Sequence, residues 1–337
     1  MWSAGSANYV MQTERILITG ANGFVGRHLI LHLLAMPCFP SIAAIVLPAE
    51  LDSAAAWAED SVSADKLSLI RWYACDITTP GMANEIVGAI EPDGVVHLAA
   101  RASGADSDKN AVFQVNVEGS RLLLQAASKL KSPRTLLIST GYAYGPTSVE
   151  RPAKETDALA APGIYGAYTD SKIAMEGMAR EYAETTIIAR SFSHTGPGQA
   201  PAFAIPSFAR QLARIEKGIE QPSIMVGNLE ALRDMLDVRD VVRAYWMMLQ
   251  MGQPGEVYNV AAGNPYRMRD LLDMMLAQIP MQIETIEDPA RLRPADIDCS
   301  TGDSRKLRDL TGWDPDIKIE RTLKDTLDFW RSVVHTQ

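Results

Sequence analysis

The chain has 337 residues, 47% of them hydrophobic and 22% charged, with 32 basic against 41 acidic side chains and a net charge of -9. This is ordinary globular usage, with room for one large domain or two modest ones. No basic run stands out, which argues against nucleic acid as a partner. Cys38, Cys75 and Cys299 lie far apart. An odd, scattered set in a long chain suits reduced thiols in a cytoplasmic protein rather than a disulfide framework. The longest apolar region is cut by Pro37, Pro40 and Pro48, so no membrane span is expected. Residues 1–14 carry no basic-then-apolar signal pattern and are expected to form a loose leader.

The apolar run Ile16-Leu17-Ile18-Thr19 predicts a short buried strand, followed by a glycine-rich turn and an amphipathic helix to about Met36. Further strands are expected over 42–47, 67–73, 94–98, 134–139 and 186–189. Helices are expected over 82–90, over 111–130 and on from Tyr168. The Ala-rich stretch 48–63 reads as a short helix or a loose excursion. Strands alternating with helices indicate an α/β fold, a doubly wound parallel sheet of the Rossmann type covered on both faces. After Arg190 the rhythm changes. Helices over 206–217, 240–249 and 268–279 alternate with short strands near 224–226 and 257–259, and helices near 303–311 and 320–334 close the chain. This predicts a dinucleotide-binding unit over 15–190, with some later segments returning to it. A smaller, mainly substrate-binding α+β unit would cover 191–337.

Gly20-x-x-Gly23-x-x-Gly26 falls between a strand and a helix. There, glycines let the backbone turn tightly and approach a pyrophosphate, and the helix N-terminus offers free N–H groups. A close-packed strand-to-helix turn is the alternative. Asp76, past the third strand, either accepts a hydrogen bond from an adenine amino group or is simply solvated. The second strand ends at Leu47-Pro48, without the acidic residue that usually holds a ribose diol. Arg27, after the last glycine, either meets a 2'-phosphate or is solvated. The choice between NAD and NADP stays open.

Tyr168 and Lys172 stand four apart on a predicted helix and therefore share a face. A free phenol titrates near ~10, and a nearby cation favours the phenolate, bringing it toward a useful range. His28 and His32 are also four apart, but no carboxylate or cysteine nearby completes a metal site. His97, at the end of the fourth strand, reads as a packed strand residue.

The glycine loop, the Ser139-Thr140-Gly141-Tyr142 turn after the fifth strand, and Tyr168-x-x-x-Lys172, in that order, resemble the extended short-chain dehydrogenase/reductase family over about 15–330. Downstream, Arg190-Ser191-Phe192-Ser193-His194-Thr195-Gly196-Pro197 looks like the family's sugar-nucleotide segment. Arg233-Asp234-Met235-Leu236-Asp237-Val238 and Arg293-Pro294-Ala295-Asp296 are similar to those of GDP-mannose-processing members. The nearest resemblance is to the reductases of GDP-6-deoxy-4-keto-mannose, which make GDP-rhamnose, with the GDP-mannose 4,6-dehydratases adjacent.

The resemblance implies Tyr168 as acid-base residue, Lys172 as its partner on the nicotinamide ribose, and Thr140 as a hydrogen bond to the substrate oxygen. It implies cofactor contacts, to NADP or NAD, from Gly20, Asn22, Gly23, Phe24, Val25, Gly26, Asp76, Ile77, Leu98, Ala99, Ala100, Asn116, Tyr168, Lys172 and Arg190. Substrate contacts would come from Arg101, Tyr142, Ser193, His194, Arg233 and Arg293, the last two clamping a diphosphate. No metal is implied. A homodimer through the helices after 111 and after 168 is implied. Two departures stand out. Tyr142 occupies the place of the carboxylate that dehydratases use, which disfavours dehydration. Ser191 and Ser193 replace the family's usual Pro and Asn. A nucleotide-sugar 4-epimerase and a non-catalytic cofactor-binding relative are the alternatives.

Overall fold

The structure, a computed structural model, describes residues 13–38, 40–102, 108–131, 134–292 and 297–335. Its first half alternates strands with one or two helices: β1 (Arg15–Thr19), α1 (Phe24–Leu34), β2 (Ser41–Val46), α2 (Leu51–Ser61), α3 (Ala64–Leu67), β3 (Ile70–Ala74), α4 (Met82–Ile90) and β4 (Gly94–His97). Then come α5 (Lys109–Phe113), α6 (Ser120–Ala127), β5 (Arg134–Thr140), α7 (Gly166–Ala179) and β6 (Thr186–Ser191). All six strands are parallel to their neighbours. Strands buried on both faces read as unbroken apolar runs, as in Ile16-Leu17-Ile18 and Ile42-Ala43-Ala44-Ile45-Val46, all buried.

The remaining elements are β7 (His194–Thr195), α8 (Ala204–Glu216), β8 (Ser223–Val226), β9 (Leu232–Arg233), β10 (Leu236–Asp237), α9 (Val238–Met251) and β11 (Val257–Val260). They continue with β12 (Tyr266–Arg267), α10 (Met268–Leu276), β13 (Glu284–Glu287), β14 (Cys299–Ser300), α11 (Arg305–Thr311) and α12 (Ile319–His335). The large sheet has seven strands in the order β11-β6-β5-β4-β1-β2-β3. Its strand order reverses between β1 and β4, and ligands of such sheets bind outside the strand C-termini at that point.

Chain after 191 therefore completes this sheet: β11 is its edge strand, parallel to β6. Tyr245, Met248 and Leu249 of α9, Tyr258 of β11 and Trp313 belong to the same core as Ile16, Leu29 and Ile42. Trp313 is fully buried and donates its ring N–H to the Asp240 carbonyl at 3.0 Å. The smaller unit has its own core, with Ile205, Phe208 and Leu212 of α8, Leu271 of α10 and Leu323 and Leu327 of α12. Its strands are short: β12-β9-β14 form one ribbon, β8 and β13 another, and β7 and β10 a third.

Of the two readings of the Ala-rich stretch, the short helix holds: a 3-10 turn (Pro48–Glu50) leads into α2, where Ala54 and Ala58 bury a narrow face. One segment folds differently from its sequence reading. The single long helix expected over 111–130 is divided by a π-helical turn, Gln114–Gly119, between α5 and α6. Such turns insert an extra residue and re-aim side chains at functional sites. Here the turn carries the buried Asn116.

Candidate active site

The glycine loop lies at the sheet's switch point. Gly20 has φ +67, and a Cβ there would fall 2.8 Å from the Ala99 backbone nitrogen. The loop thus touches Leu98 and Ala99, where the chain leaves β4. A Cβ on Gly26 would meet the Gly20 carbonyl oxygen at 2.5 Å, so only glycine lets α1 start this close to the turn. Gly23 caps α1 without any side-chain hydrogen bond, which leaves the first-turn N–H groups of Phe24, Val25 and Gly26 uncapped by side chains. Those amides and the helix dipole fit a pyrophosphate. Asn22 turns its amide outward: Oδ1 accepts from Arg27 at 2.8 Å and Nδ2 donates to the Ser53 hydroxyl of α2 at 3.3 Å. The Arg27 guanidinium also lies 5.1 Å from the Trp57 ring centroid. Asp76 uses Oδ1 locally, accepting from the Thr78 amide at 2.9 Å and hydroxyl at 2.7 Å. Ile77 is a core residue, its side chain packed under Gly119.

Thr140, Tyr168 and Lys172 come together where β5 ends and α7 begins. Thr140 is the last residue of β5, and its hydroxyl accepts from the Tyr142 amide at 3.2 Å. It also hydrogen-bonds the Tyr168 phenol. Lys172 lies one turn further along α7, buried, with its Nζ 5.9 Å from the Tyr168 ring centroid. Its ammonium donates to the Ile138 carbonyl at 2.6 Å and contacts Met175 Sδ at 3.9 Å. The shared face expected from the spacing is therefore real. The expected electrostatics are not: burial, with Tyr142 beside it, pushes the Tyr168 phenol up to about 12, and the Thr140 hydrogen bond only partly opposes this. Burial pushes Lys172 down to about 8, opposed by Glu176. The amine is turned to Ile138 and desolvation outweighs its attraction for a phenolate.

The two departures from the family pattern meet. The Tyr142 hydroxyl lies 3.3 Å from the Ser193 hydroxyl. The Arg233 guanidinium lies 6.0 Å from the Tyr142 ring centroid, and its Nη1 donates to the Leu232 and Ile297 carbonyls at 3.0 and 2.5 Å. Ser191, also buried, bonds the fully buried Tyr245 phenol at 2.6 Å. His194 stacks on Phe24 of the glycine helix, with ring centroids 6.3 Å apart. Its Nδ1 lies 3.0 Å from the Phe192 carbonyl, and burial lowers its pKa. His28 reaches the same region, its Nε2 2.9 Å from the Pro197 carbonyl. His28 also packs edge-on to Phe24, with ring centroids 5.3 Å apart, and among the described residues no three His, Cys, Asp or Glu side chains gather as a metal site. Arg101 is exposed, while Arg293 lies outside the described residues.

Two residues read as cofactor contacts are committed to the protein. Arg190 is 5% exposed, and its guanidinium pairs with Glu176 at 2.7 Å and donates to the Tyr144 hydroxyl at 2.8 Å. The guanidinium expected at the cofactor is thus engaged inside the fold by Glu176 and Tyr144. Asn116 accepts from the Arg101 amide at 2.7 Å and donates to the Ser171 hydroxyl at 2.9 Å. It ties the segment after β4 to α7.

Glu176 and the His97 chain carried no motif and were missed by sequence reasoning. The Ala99 amide donates to Thr19 Oγ1 at 3.2 Å, Thr19 lies 2.6 Å from His97 Nδ1, and His97 Nε2 lies 2.8 Å from Ser120, which donates to the Asn116 carbonyl at 2.7 Å. Because Ser120 and Thr19 each have one proton to give, His97 carries its proton on Nε2. Burial, helped by the Lys172 charge, pushes its pKa down to about 3, so the ring is neutral.

A switch-point glycine loop with a Thr-Tyr-Lys set on the crossover from β5 through α7 defines a nicotinamide-dinucleotide-binding short-chain dehydrogenase/reductase. Within that class, the chain belongs to the family whose model is described as GDP-mannose 4,6 dehydratase, matched over residues 17–326. GDP-6-deoxy-D-mannose reductase of Pseudomonas aeruginosa is 32% identical over 332 residues, 96% of this chain and 100% of that protein. GDP-mannose 4,6-dehydratase of Vibrio cholerae is 26% identical over 288 residues, 74% of this chain and 76% of that protein. Among solved structures, RMD from Pseudomonas aeruginosa complexed with NADPH has a TM-score of 0.78 at 31% identity, covering 95% of this chain and 100% of that one. DesIV (dTDP-glucose 4,6-dehydratase) from Streptomyces venezuelae shares the fold, with a TM-score of 0.79 at 23% identity, covering 94% of this chain and 97% of that one.

Proposed function

We propose that this chain reduces the C4 keto group of GDP-6-deoxy-4-keto-mannose, giving GDP-rhamnose, with NADPH or NADH as reductant. The likeness to the Pseudomonas reductase along the whole chain supports the substrate class. The observation that carries the reaction type is the surroundings of Tyr168. Among the described residues, the groups that act on its proton are the hydroxyls of Thr140 and Tyr142, and neither is a carboxylate. Such a site can give one proton to a developing alkoxide. It lacks the carboxyl pair that would remove a proton beside the carbonyl and release water.

The cofactor would be held by the α1 amides, the glycine loop and the Leu98-Ala99-Ala100 segment, and when bound it supplies the hydride that adds to C4. Tyr168 gives its proton to the carbonyl oxygen as the C4–O bond becomes single. Thr140 donates a hydrogen bond to that oxygen and so fixes the carbonyl against Tyr168. Lys172, charged, stabilises the phenolate that Tyr168 leaves behind. Arg233 and, beyond the described residues, Arg293 would pair with the diphosphate. Tyr142, Ser193 and His194 line the sugar end, and Arg101 borders it.

We also infer a homodimer. The half-buried apolar strip Phe113, Val117, Ile173 and Met178 on α5, the π-turn and α7 supports it. Three free cysteines support a cytoplasmic location, and among the described residues no helix is long and apolar enough to cross a membrane. The test of function is consumption of reduced cofactor, followed optically, on adding GDP-6-deoxy-4-keto-mannose. Intact nucleotide binding without consumption sinks the proposal. A tightly retained NAD with no net oxidation would turn the reading to an epimerase.

A further inference from the structure

We propose that Glu176 is a positioning residue for this site: paired with Arg190, it locks the helix bearing Tyr168 and Lys172 to the strand bearing Thr140 and keeps an anion beside the amine. The inference rests on the reductase reading above for what the site does, but its geometry is independent of substrate.

Residues 168, 172 and 176 are successive i, i+4 positions and lie on one face of α7. Glu176 is 5% exposed, yet its two oxygens meet four donor contacts. Oε1 accepts from the Ser139 hydroxyl at 2.5 Å and Arg190 Nε at 3.0 Å, while Oε2 accepts from Nε at 3.1 Å and Nη2 at 2.7 Å. Ser139 directly precedes Thr140 on β5 and is paired in register with Arg190 on β6. One carboxylate therefore fixes α7 to the two strands beneath it, one residue from the catalytic hydroxyl.

The pair reaches further. Arg190 Nη1 donates to the Tyr144 hydroxyl at 2.8 Å and the Glu155 carbonyl at 3.3 Å, with the Tyr144 ring centroid 4.8 Å from the guanidinium carbon. Tyr144 donates to Asn259 Oδ1 at 2.7 Å, and Asn259 donates to the Ala153 and Asp303 carbonyls at 2.9 and 3.1 Å. Tyr144 lies in the same turn as Tyr142. The ends of α7, β5, β6 and β11 and the turn after Thr140 all converge on this one pair.

A buried ion pair is weak as a source of stability, since desolvating two charges offsets their attraction. A role in geometry and charge accounts better for this one. The groups that face Lys172 are Tyr168 and Glu176 from α7 and His97 from β4, with Arg190 from β6 behind Glu176; Tyr142 acts on Tyr168, and Tyr168 in turn acts on Tyr245 from α9. His97 is neutral. Among the described residues Glu176 is the anion that acts on Lys172.

The test uses Glu176→Gln, Glu176→Asp and, because a lone buried Arg190 could unfold the first, the neutral pair Glu176→Gln with Arg190→Met. Cofactor affinity by nicotinamide fluorescence, the pH profile of kcat, and titration of Lys172 by NMR of lysine-labelled protein are measured on each. The neutral pair is expected to melt cooperatively and bind reduced cofactor within about threefold of the parent, while kcat at neutral pH falls about tenfold or more, the range of a mispositioned acid. Its alkaline limb and its Lys172 titration should both move to lower pH, and Glu176→Asp, which keeps the charge, should restore the titration. A folded neutral pair with parental kcat and an unmoved Lys172 titration overturns the inference. Were the parent inactive on the keto sugar, the reductase reading would fail, and the Lys172 titration would still decide this one.

Discussion

Lys172→Met removes a charge that the fold opposes. In an unfolded chain the amine titrates at its ordinary 10.5, and in the fold burial lowers this to about 8. A depressed pKa means that the unfolded chain holds the proton more tightly, so stability rises as pH climbs from about 8 to 10.5 and is lost below. At pH 7 the full penalty is present, on the order of 3 kcal/mol for a shift of this size. Methionine matches the stem and has no charge. Losing the bond to the Ile138 carbonyl returns about 1 kcal/mol, so the variant should be more stable than the parent by roughly 2 kcal/mol at pH 7. At pH 9.5 the folded amine is already neutral, and the gain should shrink by about 2 kcal/mol. Urea unfolding of both proteins at the two pH values measures this, and the same variant should lose carbonyl reduction. A variant less stable than the parent at pH 7, or a difference that ignores pH, would refute the claim that Lys172 is a strained, desolvated charge.

Tyr168→Phe should cut turnover about 10²- to 10⁴-fold while cofactor affinity stays near the parent, as kinetics and equilibrium binding can each report. Gly26→Ala should do the reverse first, weakening nucleotide binding, because its Cβ would press on the Gly20 carbonyl oxygen at 2.5 Å; unchanged affinity by calorimetry would count against the glycine cradle. Tyr142→Phe deletes the hydroxyl facing Ser193 and should raise KM for the keto sugar more than it lowers kcat. Asp234→Ala should cost about 3 kcal/mol or more in denaturant unfolding, since the carboxylate accepts from the Ala262, Gly263 and Gly302 amides and the Thr301 hydroxyl.

Much of the sheet was legible because buried parallel strands leave uninterrupted apolar runs, as in residues 16–18 and 42–46. The Tyr168 and Lys172 face was legible for the same kind of reason: helical spacing is local. What stayed hidden depends on partners far apart in sequence. The pairing of Arg190 with Glu176, 14 positions earlier, cannot be read from either residue's neighbours in the sequence. The phenol was expected to be lowered by a neighbouring amine, but spacing says nothing of the 5.9 Å between amine and ring or of the carbonyl that the amine meets instead. The π-turn around Asn116 was invisible because its sequence is helical by pattern, and only the hydrogen bonds to Arg101 and Ser171 re-aim it. Tyr142 and Ser193 were each noticed as departures, 51 positions apart, and only the fold makes them one contact.

The late arrival of β11 has a bearing on how the chain is made. Until residues 257–260 emerge, β6 has an unpaired outer edge, and until residue 313 follows, the cavity that Trp313 fills is open. A nascent chain released at residue 190 would hold a nearly complete sheet with a bare, apolar rim, the kind of surface that recruits strands from other molecules. Translation pauses or premature stops in the stretch between β6 and β11 should therefore yield aggregates, whereas truncation within α12 should leave the large sheet intact.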